Sequence, residues 1–341
     1  MSKRFEPIGL YGLSKPILFS IPPERAHSLS LQALRLAGKF SWSRARLRSI
    51  CAPNNDPVSL FGMELPNRIG LAAGYDKNAT SLDGLEAMGF GHIEVGTIVP
   101  KPQSGNPSPR VHRLPQESAL VNRLGFPSEG LDLVSSRIEA YLNRREQRNA
   151  KMQRRPMLGI NIGRNKVTPN EEAHTDYLEC FLRLSDFADY CTINISSPNT
   201  PNLRELQNNK ALESLLTPIL NARSKQRKQT PLLVKLSPDL SQEQRCQTLH
   251  QLVELGVEGV VLSNTKRTLE PWEGGRSGAF LHDDSLRLIA EAKKETPSLR
   301  LIASGGIGQD DDVARFVDAG ADLVQIWTAL IYRGPKLLRK L

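Results

Sequence analysis

The chain has 341 residues, of which 39% are hydrophobic and 24% are charged. This composition excludes a disordered, collagen-like or disulfide-stapled chain, and the length allows a large buried core. The 45 basic side chains outnumber the 36 acidic ones and give a net charge of +9. That charge suits nucleic acid, an anionic membrane surface or anionic small ligands, and by itself it does not choose among them.

The four cysteines are scattered, with no CxxC pair and no spacing typical of a metal site. No N-terminal run resembles a signal peptide. No stretch approaches the roughly 18 apolar residues that a membrane span needs. We therefore expect a protein of the reducing cytoplasm that binds no metal and does not cross a bilayer.

The first predicted elements are two short amphipathic helices at residues 10–19 and 24–37, separated by Ile21-Pro22-Pro23. A small hairpin at residues 58–65 follows, and we expect it to cover the N-terminal mouth of the main domain. We divide the chain at residue 45, into a helical extension (residues 1–45) and a main domain (residues 46–341).

From about residue 68, short β-branched runs alternate with longer segments of helical periodicity, a pattern typical of a parallel α/β sheet. Eight runs are predicted strands: 68–74, 92–97, 157–163, 190–196, 232–237, 259–264, 299–305 and 322–327. Seven segments with cap residues are predicted helices: 81–88, 128–148, 171–188, 210–225, 241–255, 283–295 and 310–319. Eight such units predict a (β/α)8 TIM barrel; an open doubly wound sheet is the alternative, because periodicity does not show closure.

Polar or glycine residues stand at the end of every predicted strand, which is where barrel enzymes place catalysis. They are Lys77, Thr97, Asn161, Asn194 with Ser196 and Ser197, Lys235, Asn264 with Thr265, Gly305 with Gly306, and Thr328. Polar strand ends are also ordinary in barrels without a ligand. Two lysines and several asparagines converging on one mouth nevertheless predict a ligand that satisfies them.

Two glycine clusters indicate an anion site near the last strands. Gly305-Gly306 follows the seventh strand, where the backbone of such barrels often holds phosphate, although a plain turn has the same signature. Residues 274–278 either flank the same phosphate or form a mobile loop. The proline-rich stretch 100–115 is long for a βα loop, and long loops at this face usually carry function.

Five segments together resemble the class 2, quinone-dependent dihydroorotate dehydrogenases, in order and in register with the predicted strands. They are AAGYDK at 72–77, GTIVPKPQ at 96–103, NRLGF at 122–126, GINIG at 159–163 and NISSPNTP at 194–201. The similarity extends from about Pro23 to Pro335. It implies an FMN-containing barrel that oxidises dihydroorotate to orotate in pyrimidine synthesis and passes the electrons to a membrane quinone.

The resemblance also implies roles for individual residues. Ser197 is implied as the base that takes the C5 proton, although a serine before a proline also serves as a turn cap. Substrate contacts are implied for Lys77, Asn122, Arg123, Leu124, Gly125, Phe126, Asn194, Asn199, Asn264 and Thr265. FMN contacts are implied for Ala73, Gly74, Tyr75, Asp76, Lys77, Thr97, Asn161, Asn194, Lys235, Ser263, Gly278, Gly306, Trp327 and Thr328. Amide side chains suit a pyrimidine ring that presents both donors and acceptors. A lysine suits an anionic reduced flavin, and the alternative for each lysine is an ordinary solvated position on the surface.

The segment from Pro23 to His27 resembles the part these enzymes use for peripheral membrane contact and quinone access. Basic residues nearby suit anionic lipid heads, while the alternative is that the leucines only pack on the barrel. These residues are Arg35, Lys39, Arg44, Arg46 and Arg48. His27 either lines a quinone tunnel or is structural. The resemblance implies a monomer, peripheral on the cytoplasmic side of the inner membrane, with no nucleic-acid partner.

Four residues at three sites depart from the family pattern. Lys266 follows Asn264-Thr265 where a second threonine is usual, Ala279-Phe280 replaces a basic residue and proline, and Trp327 stands where tyrosine is common. A soluble relative using fumarate or NAD, or an RNA-binding flavoprotein, would be expected to use a cysteine base; a non-catalytic paralogue is a further alternative. Ser197 and the leading helices favour the quinone-dependent class.

Overall fold

A closed barrel of eight parallel strands forms the centre of the molecule, in a computed structural model that describes residues 4–149 and 154–341. Elements are numbered along the chain. The barrel strands are β3 (Ile69–Leu71), β4 (His92–Ile98), β7 (Met157–Ile162), β8 (Tyr190–Asn194), β9 (Leu232–Leu236), β10 (Gly259–Leu262), β13 (Arg300–Ser304) and β14 (Leu323–Ile326). Each pairs with the next along the chain, and β14 pairs with β3 through Val324 and Ile69. This last pairing confirms the predicted TIM barrel and excludes the open sheet.

The predicted helices surround the barrel, with ends that differ from the prediction by a few residues. They are α4 (Leu82–Ala87), α5 (Leu131–Asn149), α6 (Ala173–Leu184), α7 (Asn209–Ser224), α8 (Gln242–Glu254), α9 (His282–Glu295) and α10 (Asp312–Asp318), and α11 (Thr328–Arg333) follows the last strand. The start of α8 shows how the sequence sets a boundary: Ser241 Oγ accepts from the Gln244 N–H, and Gln244 Oε1 accepts from the Ser241 N–H.

A hairpin of β1 (Val58–Leu60) and β2 (Met63–Leu65) covers the N-terminal mouth of the barrel, as predicted. Leu60 and Leu65 pack against the residues that begin the barrel strands, among them Met157 and Tyr190. This apolar plug closes one end of the barrel and leaves the opposite end for chemistry.

Three helices precede the hairpin: α1 (Tyr11–Ser20), α2 (Pro23–Lys39) and α3 (Ser41–Cys51). The first two were predicted, and the third was not. Residue 45 lies within α3, so the division of the chain at that residue stays a prediction. In the described part of the chain, no helix combines the length and the apolar character that a bilayer span requires.

A four-stranded antiparallel sheet lies over the C-terminal mouth, and the sequence did not predict it. Its strands are β5 (Val111–Leu114), β6 (Ala119–Asn122), β11 (Lys266–Thr268) and β12 (Gly274–Gly278), in the order β11-β12-β6-β5. The stretch 100–115 is therefore not a plain loop, and residues 274–278 form a strand rather than a mobile loop. These strands are only three to five residues long, too short for a clear alternation, and the two hairpins they form join only through the long-range pairing of β12 with β6.

Candidate active site

One cavity at the C-terminal mouth gathers most of the predicted site residues. Ser197, Lys77 and Lys235 all line it, although they come from three different strand units: Lys77 follows β3, Ser197 follows β8, and Lys235 lies in β9. The other predicted residues in its wall are Ala73, Gly74, Thr97, Asn122, Leu124, Gly125, Phe126, Asn194, Asn199, Ser263, Asn264, Thr265, Gly278, Gly306, Trp327 and Thr328. The convergence of distant polar residues, which the strand ends predicted, is thus present in the structure.

Four predicted residues lie elsewhere. Asn161 is fully buried beneath the wall, and Tyr75 faces the N-terminal helices with its hydroxyl 3.1 Å from Ser30 Oγ. The Asp76 carboxylate accepts from the backbone N–H groups of Thr80 and Ser81, so it holds the start of α4 rather than a ligand. Arg123 is exposed and does not line the cavity; its backbone N–H donates to the Arg110 carbonyl, and its carbonyl accepts from Asn106 Nδ2.

The side chains beneath the cavity form a connected hydrogen-bond network. Asn161 Oδ1 accepts from Thr97 Oγ1 at 2.6 Å and from Asn194 Nδ2 at 3.1 Å. Asn194 Oδ1 accepts from Ser196 Oγ at 2.9 Å, and Ser196 Oγ accepts in turn from Asn264 Nδ2 at 2.8 Å. The network therefore joins the ends of four strands and fixes the amide orientations before a ligand arrives.

Glu94 anchors this network from below, and the sequence analysis missed it. Its Oε1 accepts from Asn161 Nδ2 at 2.7 Å, and its Oε2 accepts from Tyr190 and from Gln325 Nε2 at 2.7 Å. Gln325 lines the cavity, and its Oε1 is a buried acceptor without a partner among the described residues. Glu94 and Gln325 both lie within apolar strands. Their only signal in the sequence is that a polar residue interrupts an apolar run.

The two lysines of the cavity differ in their surroundings. Burial lowers the pKa of Lys235, while the Glu94 carboxylate acts in the opposite direction. Burial also lowers the pKa of Lys77 to about 8, and Arg110 adds to the lowering. Lys77 Nζ donates to the Gly74 carbonyl at 2.5 Å. Both cations are therefore held where an anionic ligand would stabilise their charged form.

Ser197 is 6% exposed and stands beside a cluster of amides. Its Oγ accepts from the Asn199 backbone N–H at 3.2 Å, and Asn199 Nδ2 donates to Asn122 Oδ1 at 3.1 Å. The hydroxyl has no carboxylate or imidazole partner among the described residues. A base of this kind needs a route for its proton other than a neighbouring side chain.

Arg204 ties three strand ends together and was not predicted. Its Nε donates to the Ser196 carbonyl at 3.0 Å, and its Nη2 donates to the Thr265 carbonyl at 3.2 Å. Its Nη1 lies 2.5 Å from Asp239 Oδ2, beyond the end of β9. The guanidinium thus fixes the backbone directly before Ser197 relative to the backbone of Thr265, which follows β10.

The glycine residues near β13 and β14 shape one end of the cavity. Gly306 has φ +74°, and a Cβ there would lie 2.2 Å from the His282 backbone nitrogen. Gly74 has φ +97°, and a Cβ there would meet no atom within 4 Å. Ser277 Oγ and Thr328 Oγ1 are 2.8 Å apart at the same end as Gly306.

A second cavity, of about 880 Å³, lies between the barrel and helices α1 and α2. The two cavities share six lining residues: Lys77, Val111, Leu120, Leu124, Pro127 and Trp327. His27 lies in this helical cavity, edge-on to Tyr75. Burial, with Lys77 acting in the same direction, lowers the pKa of His27 to about 3, so its imidazole is neutral at physiological pH.

The departures from the family pattern fall around the site. Lys266 is exposed, pairs with Asp284 at 3.3 Å and does not line the barrel cavity. Trp327 lines both cavities, and its indole nitrogen has no hydrogen-bond partner among the described residues. Phe280 packs under the Arg276 guanidinium, away from the cavity wall.

Comparison with known proteins agrees with this geometry. The sequence model of the family described as dihydroorotate dehydrogenase matches residues 57–341. Proteins named dihydroorotate dehydrogenase (quinone) from Albidiferax ferrireducens and Dichelobacter nodosus are 43% and 42% identical to the chain. The alignments cover 97% and 95% of this chain, and 96% and 95% of those proteins.

A crystal structure of DHODH from Eimeria tenella in complex with ferulenol has a TM-score of 0.82 and 34% identity, covering 95% of this chain and 92% of that one. A ligand-free structure from the same organism gives a TM-score of 0.80 at 36% identity, covering 89% and 92%.

Fold, site and relatives define a flavin-dependent oxidoreductase built on a TIM barrel. The chain belongs to the dihydroorotate dehydrogenase family, and these full-length relatives are of its quinone-dependent class.

Proposed function

We propose that the protein oxidises (S)-dihydroorotate to orotate with FMN in the barrel cavity, and that a membrane quinone in the helical cavity takes up the electrons. The observation that carries this proposal is the shared wall of the two cavities. A two-electron carrier in that wall would meet the substrate from one side and an apolar acceptor from the other. In this role the protein serves pyrimidine synthesis.

The residues of the barrel cavity fit a flavin mononucleotide. Gln325 Oε1 is a buried acceptor that requires an N–H donor, and Lys235 is a buried cation that suits the electron-rich end of a reduced ring. The open space over Gly74 admits a flat ring against the backbone. The glycine backbone at Gly278 and Gly306, with the hydroxyls of Ser277 and Thr328, suits a phosphate.

FMN bound in this cavity would supply the two-electron chemistry, as acceptor for the hydride at C6 of dihydroorotate and as donor to the quinone. The chain itself handles the proton: Ser197 Oγ takes it from C5 and must pass it to solvent, since no acidic or basic side chain among the described residues bonds to it. Asn122, Asn194, Asn199 and Asn264 hold the pyrimidine edges and carboxylate through amides that the network already orients. Lys77 places a positive charge at the boundary with the helical cavity.

The helical cavity suits a quinone because its wall is mainly apolar and because it lies beside exposed apolar surface. Leu13 and Ile17 of α1 are 76% and 69% exposed, and Trp42 of α3 is 72% exposed. An exposed set of this kind, with the basic residues of α2 and α3, suits the surface of an anionic bilayer. We place the protein, as a monomer without a nucleic-acid partner, on the cytoplasmic side of the inner membrane.

The two half-reactions test the proposal separately. Purified protein is expected to be yellow and to bleach without oxygen when dihydroorotate is added. A quinone, and neither fumarate nor NAD, is expected to restore the colour. Protein that binds no flavin would remove the enzyme interpretation, and reoxidation by fumarate or NAD would remove the quinone.

A further inference from the structure

Residues 4–8, which precede α1, run back against the barrel mouth; we call them the N-terminal strap. Phe5 in this strap is 2% exposed and lines the barrel cavity rather than the helical one. Its backbone N–H donates to Ser118 Oγ at 2.9 Å. A segment from the extreme N-terminal part of the chain thus forms part of a wall that the eight strand ends otherwise build.

Three hydrogen bonds tie the strap to the loop after β13 and to α11. Gln309 Nε2 donates to the Arg4 carbonyl at 3.1 Å, and the Ile8 N–H donates to the Arg333 carbonyl at 2.9 Å. Arg333 joins the two sides, because its Nε donates to the Glu6 carbonyl at 3.2 Å and its Nη1 to the Gly308 carbonyl at 2.5 Å. The strap is therefore fixed to the loop that carries Gly306.

The Phe5 ring also fills the space next to that loop. A Cβ added at Gly308 would lie 2.7 Å from Phe5 Cε1. Ser118, which binds the strap, has its carbonyl 2.5 Å from the place of a Cβ at Gly278. The strap therefore contacts the loop after β13 directly, through Phe5 and Gly308, and reaches the segment around Gly278 through Ser118.

We propose that the N-terminal strap is part of the cofactor site, and that Phe5 seals the end of the cavity where the FMN phosphate binds. This inference rests on the proposed function, which supplies the phosphate. Among the described residues that line the cavity, the lysines and arginines number two: Lys77, which follows β3, and Lys235, which lies in β9. A phosphate held near Gly278 and Gly306 depends on backbone N–H groups and hydroxyls, whose bonds strengthen when an apolar wall excludes water.

Replacing the phenyl ring tests the seal. The full-length protein and its Phe5→Ala variant are stripped of flavin and titrated with FMN and with riboflavin, which has no phosphate. The variant is expected to bind FMN about tenfold more weakly, with less than about a threefold change for riboflavin, so that the preference for FMN falls. Phe5→Leu, which keeps most of the packing, serves if the alanine variant does not fold, and is expected to shift the preference in the same direction.

Phe90→Ala is the matched control, because Phe90 is 1% exposed and lies before β4 at the plugged end of the barrel. It is expected to leave the preference for FMN over riboflavin unchanged. An unchanged preference in Phe5→Ala, or an equal loss for both flavins, would overturn the seal. Unaltered protein that binds neither flavin would instead overturn the proposed function, so the two failures are distinguishable.

Discussion

The two cavities that share Lys77 and Trp327 are built by opposite principles. In the barrel cavity, buried polar groups are bonded to one another, from Glu94 through Asn161 to Asn194. In the helical cavity, most of the wall is apolar, and hydrogen bonds such as the one between the Ser30 and Tyr75 hydroxyls join separate elements rather than form one buried network. A reaction that develops charge gains from fixed dipoles, whereas an apolar acceptor gains from space and dry surface.

The barrel and the N-terminal helices also differ in how deeply their residues are buried. The barrel strands are almost wholly buried, but α1 has no buried residue. Arg113 of β5 holds the end of α1 by donating to the carbonyls of Leu18, Phe19 and Ile21, and the Tyr11 hydroxyl donates to the Ile331 carbonyl at 2.6 Å. We therefore expect the helical cavity to adapt to its occupant while the barrel cavity stays fixed.

The sharpest separation of the two regions is expected from Ser197→Ala. Loss of a general base typically slows its step by about 100-fold to 10,000-fold, so flavin reduction by dihydroorotate is expected to slow by that much. Reoxidation by quinone is expected to be unchanged, because Ser197 does not line the helical cavity. Stopped-flow measurement of each half-reaction checks this, with flavin content as the control for folding. An unchanged rate of flavin reduction would take Ser197 out of its role.

A smaller effect on the same side is expected from Arg204→Ala. Without the guanidinium, the Ser196 and Thr265 carbonyls lose their common donor, and misplacement of the reacting groups is expected to lower kcat/KM for dihydroorotate by about 10-fold to 100-fold. Flavin content and quinone reoxidation are expected to stay as they are. Arg287→Ala is the control, since Arg287 pairs with Glu291 on the outer face of α9. Equal effects of both variants would show that Arg204 has no positioning role.

The sequence predicted those parts of the molecule whose signal is local. The eight barrel strands are apolar runs bounded by polar or glycine residues, and their ends pointed to Ser197, Lys235 and part of the cavity wall, whereas the other predicted wall residues came from the family resemblance. The strands β5, β6, β11 and β12 were missed because each is too short to show an alternation, and because the two hairpins join only through a pairing between distant segments, such as Gly275 with Asn122.

The residues missed in the site share that dependence on tertiary contacts. Glu94 and Gln325 interrupt apolar strands and meet only inside the closed barrel, and Arg204 acts through backbone carbonyls that no spacing reveals.

The position of Phe5 in the wall of the barrel cavity affects how the two cavities can be tested separately. A truncation of the N-terminal helices also removes Phe5, so point variants separate the two cavities more cleanly.

Lys77 tests the boundary between the regions through the pH dependence of stability. Burial lowers its pKa from 10.5 to about 8, so the unfolded chain binds the proton more tightly than the folded one. The cost to stability is full below pH 8 and disappears as the pH rises to about 10.5. Lys77→Met is therefore expected to stabilise the flavin-free protein by about 2 kcal/mol at pH 7, the full pKa difference being reduced because water reaches part of the side chain.

Urea denaturation at pH 7 and pH 10 checks this expectation, with the exposed Lys101→Met as the control. The gain from Lys77→Met is expected to shrink at the higher pH. A gain of equal size at both values would mean that relief of packing, and not of a buried charge, stabilises the variant.

The smallest effect is expected on the helical side, from Arg113→Met. Loss of the hydrogen bonds to the end of α1 loosens one wall of the helical cavity and, at roughly 1 kcal/mol, is expected to raise KM for quinone about fivefold. Flavin reduction by dihydroorotate is expected to be unaffected, because Arg113 lines the helical cavity and not the barrel cavity. Arg300→Met, at the plugged end of the barrel, is the matched control. If Arg113→Met slowed flavin reduction as much as quinone reduction, the two cavities would respond as one rigid unit, and the contrast between a fixed and an adaptable region would be wrong.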